Sequence, residues 1–241
     1  MTVLLGGCDF VFRIDEIAID DGPAVVDDGN PKFEAGGWTA FEGNGILHNS
    51  VEVALDGQVE RNSLIVVAVC SFPSAAAITI SDSVSSTYTH APMADGVLAQ
   101  PALVASLYYA VAPQPTGALV VLAAFSGAGV ESPDVRVAAY RNTAQLAPLE
   151  VAASNSMANV DTLDTSVTVS AVPALLVAST CVGGQTQAID GYQIRALSAP
   201  NGDALGDALG GTLSDEIAVA HQMPADGLIV QLAAFHGIPA R

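Results

Sequence analysis

The residues best suited to chemistry, four histidines and many carboxylates, show no catalytic spacing. The histidines occur without HxH, HExxH or HxxxH spacing, at His48, His90, His221 and His236. The sequence therefore predicts no histidine-based metal centre, and we expect these side chains in solvent-facing loops. No GxSxG elbow occurs, since residues 125–129 (FSGAG) lack the glycine two positions before the serine. A Ser/His/Asp triad assembled in space stays open.

Carboxylates outnumber cations by 25 to 7. Near the N-terminus they come in three pairs, Asp15-Glu16, Asp20-Asp21 and Asp27-Asp28. A segment of this composition is a poor place for preorganised catalysis. Hard cations take several carboxylate oxygens, so the candidate ligands of a structural Ca²⁺ are Asp20, Asp21, Asp27 and Asp28, then Asp203 and Asp207. Solvated acidic turns are the alternative, and we assign no catalytic, cofactor or metal residue.

The three cysteines, Cys8, Cys70 and Cys181, show no CxxC or zinc spacing. Because Cys70 and Cys181 each end an apolar run, we expect buried free thiols there. The start of the chain has no basic n-region, which predicts no signal peptide and synthesis in a cytoplasm.

The charge balance excludes several partners. A net charge of −18 and a single lysine, Lys32, leave no basic patch for nucleic acid and no P-loop. The uncharged apolar stretch at residues 63–81 is interrupted by SFPS, so we predict no membrane insertion.

Aromatic residues are scarce, with one tryptophan, Trp38. Tyr108 and Tyr109 are neighbours in a predicted strand and must point to opposite faces. If one face is buried, the other tyrosine is available for an interface or a glycan. The remaining tyrosines are Tyr88, Tyr140 and Tyr192.

Short apolar runs separated by Gly, Pro, Asp and Asn dominate from residue 48 onwards. Such runs predict an all-β sandwich or barrel. They cover 51–55, 63–70, 77–81, 104–111, 118–125, 135–140, 166–170, 174–181, 217–220 and 228–235. The runs at 63–69 and 118–124 are apolar throughout, which predicts strands covered on both faces or facing a partner. The Gly/Asp-rich segment 199–211 is predicted as a loop.

A weak internal repeat links the two halves of the chain. Residues 64–70 (LIVVAVC) match 175–181 (LLVASTC), and 117–127 (GALVVLAAFSG) match 227–237 (GLIVQLAAFHG), at offsets of 111 and 110 residues. We predict one antiparallel, jelly-roll-like sandwich with two pseudo-repeated halves over residues 46–241. We predict that residues 1–45 form an acidic N-terminal arm or small docking subdomain, with an extra pair of strands as the alternative.

The order of segments resembles a β-sandwich module of bacteriophage virion and bacterial surface proteins. A strand over 64–69 is followed by a turn of the form sDSagNtYt, here SDSVSSTYT at 81–89. An LYYA strand at 107–110, a VAAYRN segment at 137–142 and PLE at 148–150 come next. The chain departs from the pattern at agN, which reads VSS at 84–86. The resemblance covers about residues 48–237 and implies a display or adhesion domain.

These observations predict a non-enzymatic structural protein of a tailed-phage virion: a head decoration, head spike or tail accessory subunit. It would be assembled in the host cytoplasm and bind other virion proteins, as a homo-oligomer. A receptor- or glycan-binding adhesin, with a host-surface glycan as partner, is one alternative. A carbohydrate-active hydrolase is the other, and it requires two carboxylates across a groove at roughly 5–10 Å.

Overall fold

The computed structural model describes residues 29–43, 45–72, 77–99, 102–210 and 215–238. Across these ranges the chain forms antiparallel strands, numbered below in chain order, and one 3-10 turn at Pro92–Ala94 (η1). This confirms the predicted all-β, antiparallel sandwich class. The pseudo-repeat and the jelly-roll topology stay predictions.

The first sheet is built mainly from the N-terminal half of the chain. Its order is β1-β11-β4-β8-β6, and β7 also pairs with β8. The strands are Lys32–Ala40 (β1), Leu64–Ser71 (β4), Thr89–His90 (β6), Gly96–Ala99 (β7), Ala102–Val111 (β8) and Asp134–Arg141 (β11). Every residue of β4 is buried, and alternate residues belong to two different cores. The continuous apolar run at 63–69 is therefore explained by burial on both faces.

A three-stranded cover sheet lies on one face of the first sheet. Its order is β3-β9-β5, formed by Ser50–Ala54 (β3), Ile78–Asp82 (β5) and Val120–Phe125 (β9). Alternate residues of β9 are buried, so this strand faces its partner with one side only. A small two-stranded sheet pairs Leu47–His48 (β2) with Val130–Glu131 (β10).

The second large sheet comes from the C-terminal half. Its order is β12-β17-β13-β16-β15, with β14 also on β17. The strands are Leu149–Thr168 (β12), Ala174–Val182 (β13), Gln185–Ile189 (β14), Gln193–Leu197 (β15), Ala204–Gly210 (β16) and Asp215–His236 (β17). The pairing of β12 with β17 is irregular around Val160. Beyond this point, Leu163 and Ala218 share a core with Leu176 of β13.

The result is a stack of four β layers. They are the cover sheet, the first sheet, the second sheet and the part of β12 and β17 that folds back over it. The middle interface, between the first and second sheets, is called the seam below. Its core includes Leu64 and Tyr140 from the first sheet and Leu175, Leu205 and Phe235 from the second.

Two predictions from the apolar runs are wrong in detail. Residues 204–210, predicted as part of a loop, form the largely buried strand β16, paired with β13 along 174–179. Small residues are needed there, because a Cβ on Gly206 would stand 3.1 Å from the Gln193 carbonyl oxygen. The run at 166–170 is only the end of β12, which is 20 residues long. Because many positions of β12 are exposed and polar, a search for apolar runs does not detect its full length.

Residues 32–40 form β1, paired along its length with β11. This part of the predicted arm is therefore a strand of the first sheet. Residues 1–28, with the acidic pairs from Asp15 to Asp28, lie outside the described residues. The docking role of the arm stays a prediction.

Candidate functional site

A buried arginine stands at the centre of the seam. Arg136 lies on β11, where residues 134, 136, 138 and 140 face the second sheet while 135, 137 and 139 face the cover sheet. Its side chain is fully buried, and its Nε lies 3.0 Å from Asp134 Oδ1. Its Nη1 donates to the carbonyl oxygens of Thr180 (2.5 Å) and Ala204 (2.7 Å). One side chain of the first sheet therefore binds the backbone of β13 and β16.

Two buried carboxyls accompany this arginine. Asp134 accepts a hydrogen bond from the Ser198 hydroxyl, and Asp203 accepts one from the Val182 amide at 2.7 Å. Burial raises the pKa of both, and the negative charge of Asp134 raises that of Asp203 further. Since Arg136 offsets one negative charge, we assign the ionised form to Asp134 and the proton to Asp203.

The seam is also crossed by a disulfide. Cys70 of β4 and Cys181 of β13 are bonded, with their Cα atoms 5.5 Å apart. The prediction of free thiols is wrong, although both residues are buried as expected. The two strands face each other across the seam, and the sequence separation of 111 between the cysteines gave no sign of this. Both sulfurs lie within 4.8 Å of an Asp203 carboxylate oxygen, but bonded sulfurs are not thiolate ligands. Cys8 lies outside the described residues.

A cleft of about 460 Å³ opens beside the disulfide. We call it the seam cleft, because both halves of the chain line it. Phe72 and Ser132 come from the ends of β4 and β11, and Gln185, Asn201 and Asp203 come from the second sheet and its turns. The Ser132 backbone has φ of +48°, and its buried hydroxyl has no hydrogen-bond partner among the described residues.

A second cleft, of about 660 Å³, lies on the seam where β1 and β15 meet. Arg195 binds both oxygens of Asp207, at 2.6 and 3.1 Å, and its guanidinium lies 4.4 Å from the centroid of the Phe33 ring. Arg195 lies where the register of β15 shifts against β16. A β-bulge of this kind changes the direction in which a side chain points. Beside it, burial and the Asp207 carboxylate raise the pKa of Tyr140 well above its usual range.

The two calcium candidates within the described residues, Asp203 and Asp207, are hydrogen-bonded to protein groups. Asp207 accepts a hydrogen bond from Arg195, and Asp203 accepts one from the Val182 amide inside the seam. The two carboxylates therefore do not form a shared ligand set for one ion. Asp20, Asp21, Asp27 and Asp28 lie outside the described residues.

The four histidines lie on strands, so the prediction of loop positions is wrong. Three face carboxylates: His90 with Asp95 at 2.9 Å, His221 with Asp190 at 3.0 Å and His236 with Glu150 at 3.5 Å. His48 stacks on Phe41, with ring centroids 3.9 Å apart.

Both neighbouring tyrosines of β8 are packed, because both faces of this strand are covered. Tyr108 packs against the core under the cover sheet and stacks on His90, 4.8 Å between centroids. Tyr109 lies in the seam, edge-on to Phe235 at 5.7 Å. Neither is left as an open aromatic platform.

The turn that carries the resemblance is organised by Asp82. Its Oδ1 accepts from the amides of Val84 and Ser86, at 3.0 Å each, and its Oδ2 accepts from the Tyr88 hydroxyl at 2.9 Å. Ser85, at the position of the glycine in the pattern, has φ of +62°. The Asp and Tyr of the pattern thus close the turn, and the Gly position is the one that needs left-handed backbone.

The central group of Arg136, Asp134 and Asp203 was not predicted from the sequence. The one available signal was the charged pair inside the apolar run of β11 (DVRVAAYR). Charges at alternate positions of a buried strand share a face and need partners there.

No described helix is long and apolar enough to span a membrane. No protein-family model matches the chain, and a search of curated proteins finds no significant match.

Proposed function

We propose that this chain is a non-enzymatic structural protein of a tailed-bacteriophage virion, acting by docking and assembly. A head decoration, a head spike and a tail accessory subunit are the roles that fit. The observation that carries the proposal is that the seam is cross-linked twice. A disulfide joins β4 to β13, and beside it Arg136 is hydrogen-bonded to the backbone of β13 and β16. These contacts join the two large sheets at the middle of the stack, which suits a load-bearing part of a particle.

The disulfide also bears on where the finished protein works. Disulfides persist in oxidising surroundings and are rare in the cytosol. A phage subunit is made in the host cytoplasm but spends its working life on a released particle. We therefore expect the Cys70–Cys181 bond to close after assembly or release.

The buried carboxyls support a structural role better than a hydrolytic one. Asp134 and Asp203 interact electrostatically inside the seam and are almost fully buried. A glycosidase needs two carboxyls roughly 5–10 Å apart across a substrate groove. Here Asp134 instead neutralises Arg136 between two sheets, and Asp203 lies beside them.

The partner surface is expected to include residues 1–28. With the net charge of −18 keeping the remaining surface soluble, a docking segment at one end suits attachment to a larger lattice. The subunit is expected to act as a symmetric homo-oligomer.

The test is quantitative mass spectrometry of purified particles from the phage that encodes the chain. We expect its peptides at a fixed, symmetric copy number relative to the major capsid protein. In parallel, light scattering after size exclusion compares the full chain with one that lacks residues 1–28. This truncation leaves β1 intact, and we expect its core to fold but its binding to particles depleted of the subunit to be lost. Absence from purified particles would refute the proposal.

A further inference from the structure

The seam cleft has the construction of a ligand site. It is bounded by the end of β4, the start of β11, the β13–β14 and β15–β16 turns and the middle of β17. Its volume of about 460 Å³ is in the range of small-molecule sites. The disulfide lies in its wall, since Cys70 lines it, so the relative positions of the two contributing halves are fixed.

One polar atom in this cleft lacks a partner. The Ser132 side chain is 3% exposed, and its hydroxyl makes no hydrogen bond to any described residue. A buried hydroxyl without a partner is unfavourable. The same residue has the left-handed backbone that side chains rarely adopt, a form of strain that clusters at binding sites. Ser132 therefore marks a strained point in the wall of the cleft, although its hydroxyl oxygen is buried beneath the surface that a ligand would touch.

The other lining groups are neutral hydrogen-bonding groups and apolar surfaces. Gln185 is exposed, and Asn201 uses its amide NH₂ on the Phe41 carbonyl oxygen while its own Oδ1 is left as an acceptor. Phe72 is 37% exposed and Met223 65% exposed. Lysine, arginine and histidine are absent from the described lining, and burial raises the pKa of Asp203, which favours its neutral form.

Side-chain amides and an aromatic ring, in a cleft whose described lining holds no cationic side chain, match the two sides of a sugar ring. A pyranose presents hydroxyls at its edge and C–H groups on its faces, which suit polar groups and aromatic rings respectively. An anionic ligand would find no counter-charge in the lining and would approach a protein of net charge −18.

We propose that the seam cleft binds a neutral saccharide, with one sugar ring against Phe72 and its hydroxyls bonded by Gln185 and Asn201. A receptor-type binding activity of this kind goes beyond the assembly role and does not rest on it. A subunit absent from virions can still bind sugar, and a virion subunit can fail to do so.

The test is an amide NMR titration of the full chain with single sugars. The probes are glucose, galactose, mannose, N-acetylglucosamine and N-acetylgalactosamine, with glucuronate as the acidic comparator and CaCl₂ alone as the cation comparator. We expect at least one neutral sugar to shift the amides of Gly183 and Gly184, at the cleft wall, with millimolar affinity. Glucuronate is expected to bind more weakly.

Variants on one strand locate the binding. Gln185→Ala removes a lining amide, and Gln187→Ala removes an exposed amide outside the lining of the same strand. We expect Gln185→Ala to weaken binding about two- to tenfold, the loss of one hydrogen bond, and Gln187→Ala to leave it unchanged. Phe72→Ala is a second lining variant, and its folding is checked by its amide spectrum.

Three outcomes overturn the proposal. One is that no neutral sugar shifts the cleft amides. Another is that Gln187→Ala weakens binding as much as Gln185→Ala. The third is that glucuronate or Ca²⁺ alone perturbs the cleft amides more strongly than every neutral sugar.

Discussion

Replacing Arg136 by methionine is expected to destabilise the protein by about 3–5 kcal/mol at neutral pH. The guanidinium is fully buried, lies 3.0 Å from Asp134 and donates to two carbonyl oxygens of the second sheet. Methionine has a comparable volume, so the loss comes from chemistry more than from a cavity. It leaves Asp134 without its counter-ion and the carbonyls of Thr180 and Ala204 without this donor.

The size of this loss should depend on pH in a defined direction. Arg136 lowers the pKa of Asp134 against the effect of burial, so its removal raises that pKa further. In the variant, Asp134 binds a proton in the folded state at pH values where the unfolded chain, with an aspartate pKa of about 3.9, has lost it. The variant's stability therefore falls as pH rises through this window, and its deficit shrinks as the pH is lowered towards 4.

The assay is guanidinium chloride unfolding at pH 4.5 and pH 7, followed by circular dichroism. The control is Arg141→Met on the same strand, whose side chain is 46% exposed and lies 3.8 Å from Glu60. Exposed pairs of this kind contribute at most about 1 kcal/mol. Adding Asp134→Asn to Arg136→Met should restore part of the loss, because no buried charge is then left alone. A deficit below about 1 kcal/mol at pH 7, or one equal at both pH values, would show that Arg136 is not the electrostatic centre of the seam.

Three further changes test other parts of the structure. Replacing both Cys70 and Cys181 by alanine should cost about 4–5 kcal/mol, as expected for a closed loop of about 100 residues. A reducing agent should lower the stability of the wild type and leave the double variant unaffected; equal sensitivity would contradict the bond. Ser85→Gly should stabilise the protein by about 0.5–1 kcal/mol in thermal unfolding, because a side chain at φ of +62° is strained, and a loss would show that the turn does not need glycine. Asp203→Asn should flatten the fall of stability with rising pH. The raised pKa of Asp203 means that the folded chain keeps a proton that the unfolded chain releases above about pH 4, at about 1.4 kcal/mol per pH unit. An unchanged pH profile of unfolding would place the proton elsewhere.

The apolar strands were predictable because burial on both faces requires continuous apolar sequence. β4 and β13 are the clearest cases, and every residue of each is buried. β16 was not predictable in this way. Its composition, ALGDALG, has the glycine and aspartate content of a loop, and only the close approach of β13 and β15 makes small residues favourable there. Local composition therefore identifies strands whose large apolar side chains fill the core. It misses strands such as β16, whose small residues allow neighbouring strands to approach closely.

The seam chemistry was unpredictable for a different reason. Asp134 and Arg136 are two residues apart, but their partners Thr180, Ser198 and Asp203 lie on strands and turns of the second sheet. A charge in an apolar run shows that a partner must exist and says nothing of which residue it is. Only the packing of the two sheets supplies that pairing.

The disulfide joins two residues that the internal repeat places at equivalent positions. Cys70 aligns with Cys181, and their separation of 111 residues is the offset of the first match. When two similar units pack about a two-fold axis, a residue meets its own equivalent only near that axis. β4 and β13 face each other across the seam at these two residues, as the predicted repeat would require near such an axis. The second match does not follow: residues 120–125 form β9 of the cover sheet, whereas residues 228–235 belong to β17 and pair directly with β13. The fold therefore follows the predicted repeat only at the cross-linked strands and departs from it one strand away, where β12 and β17 extend and fold back over the second sheet.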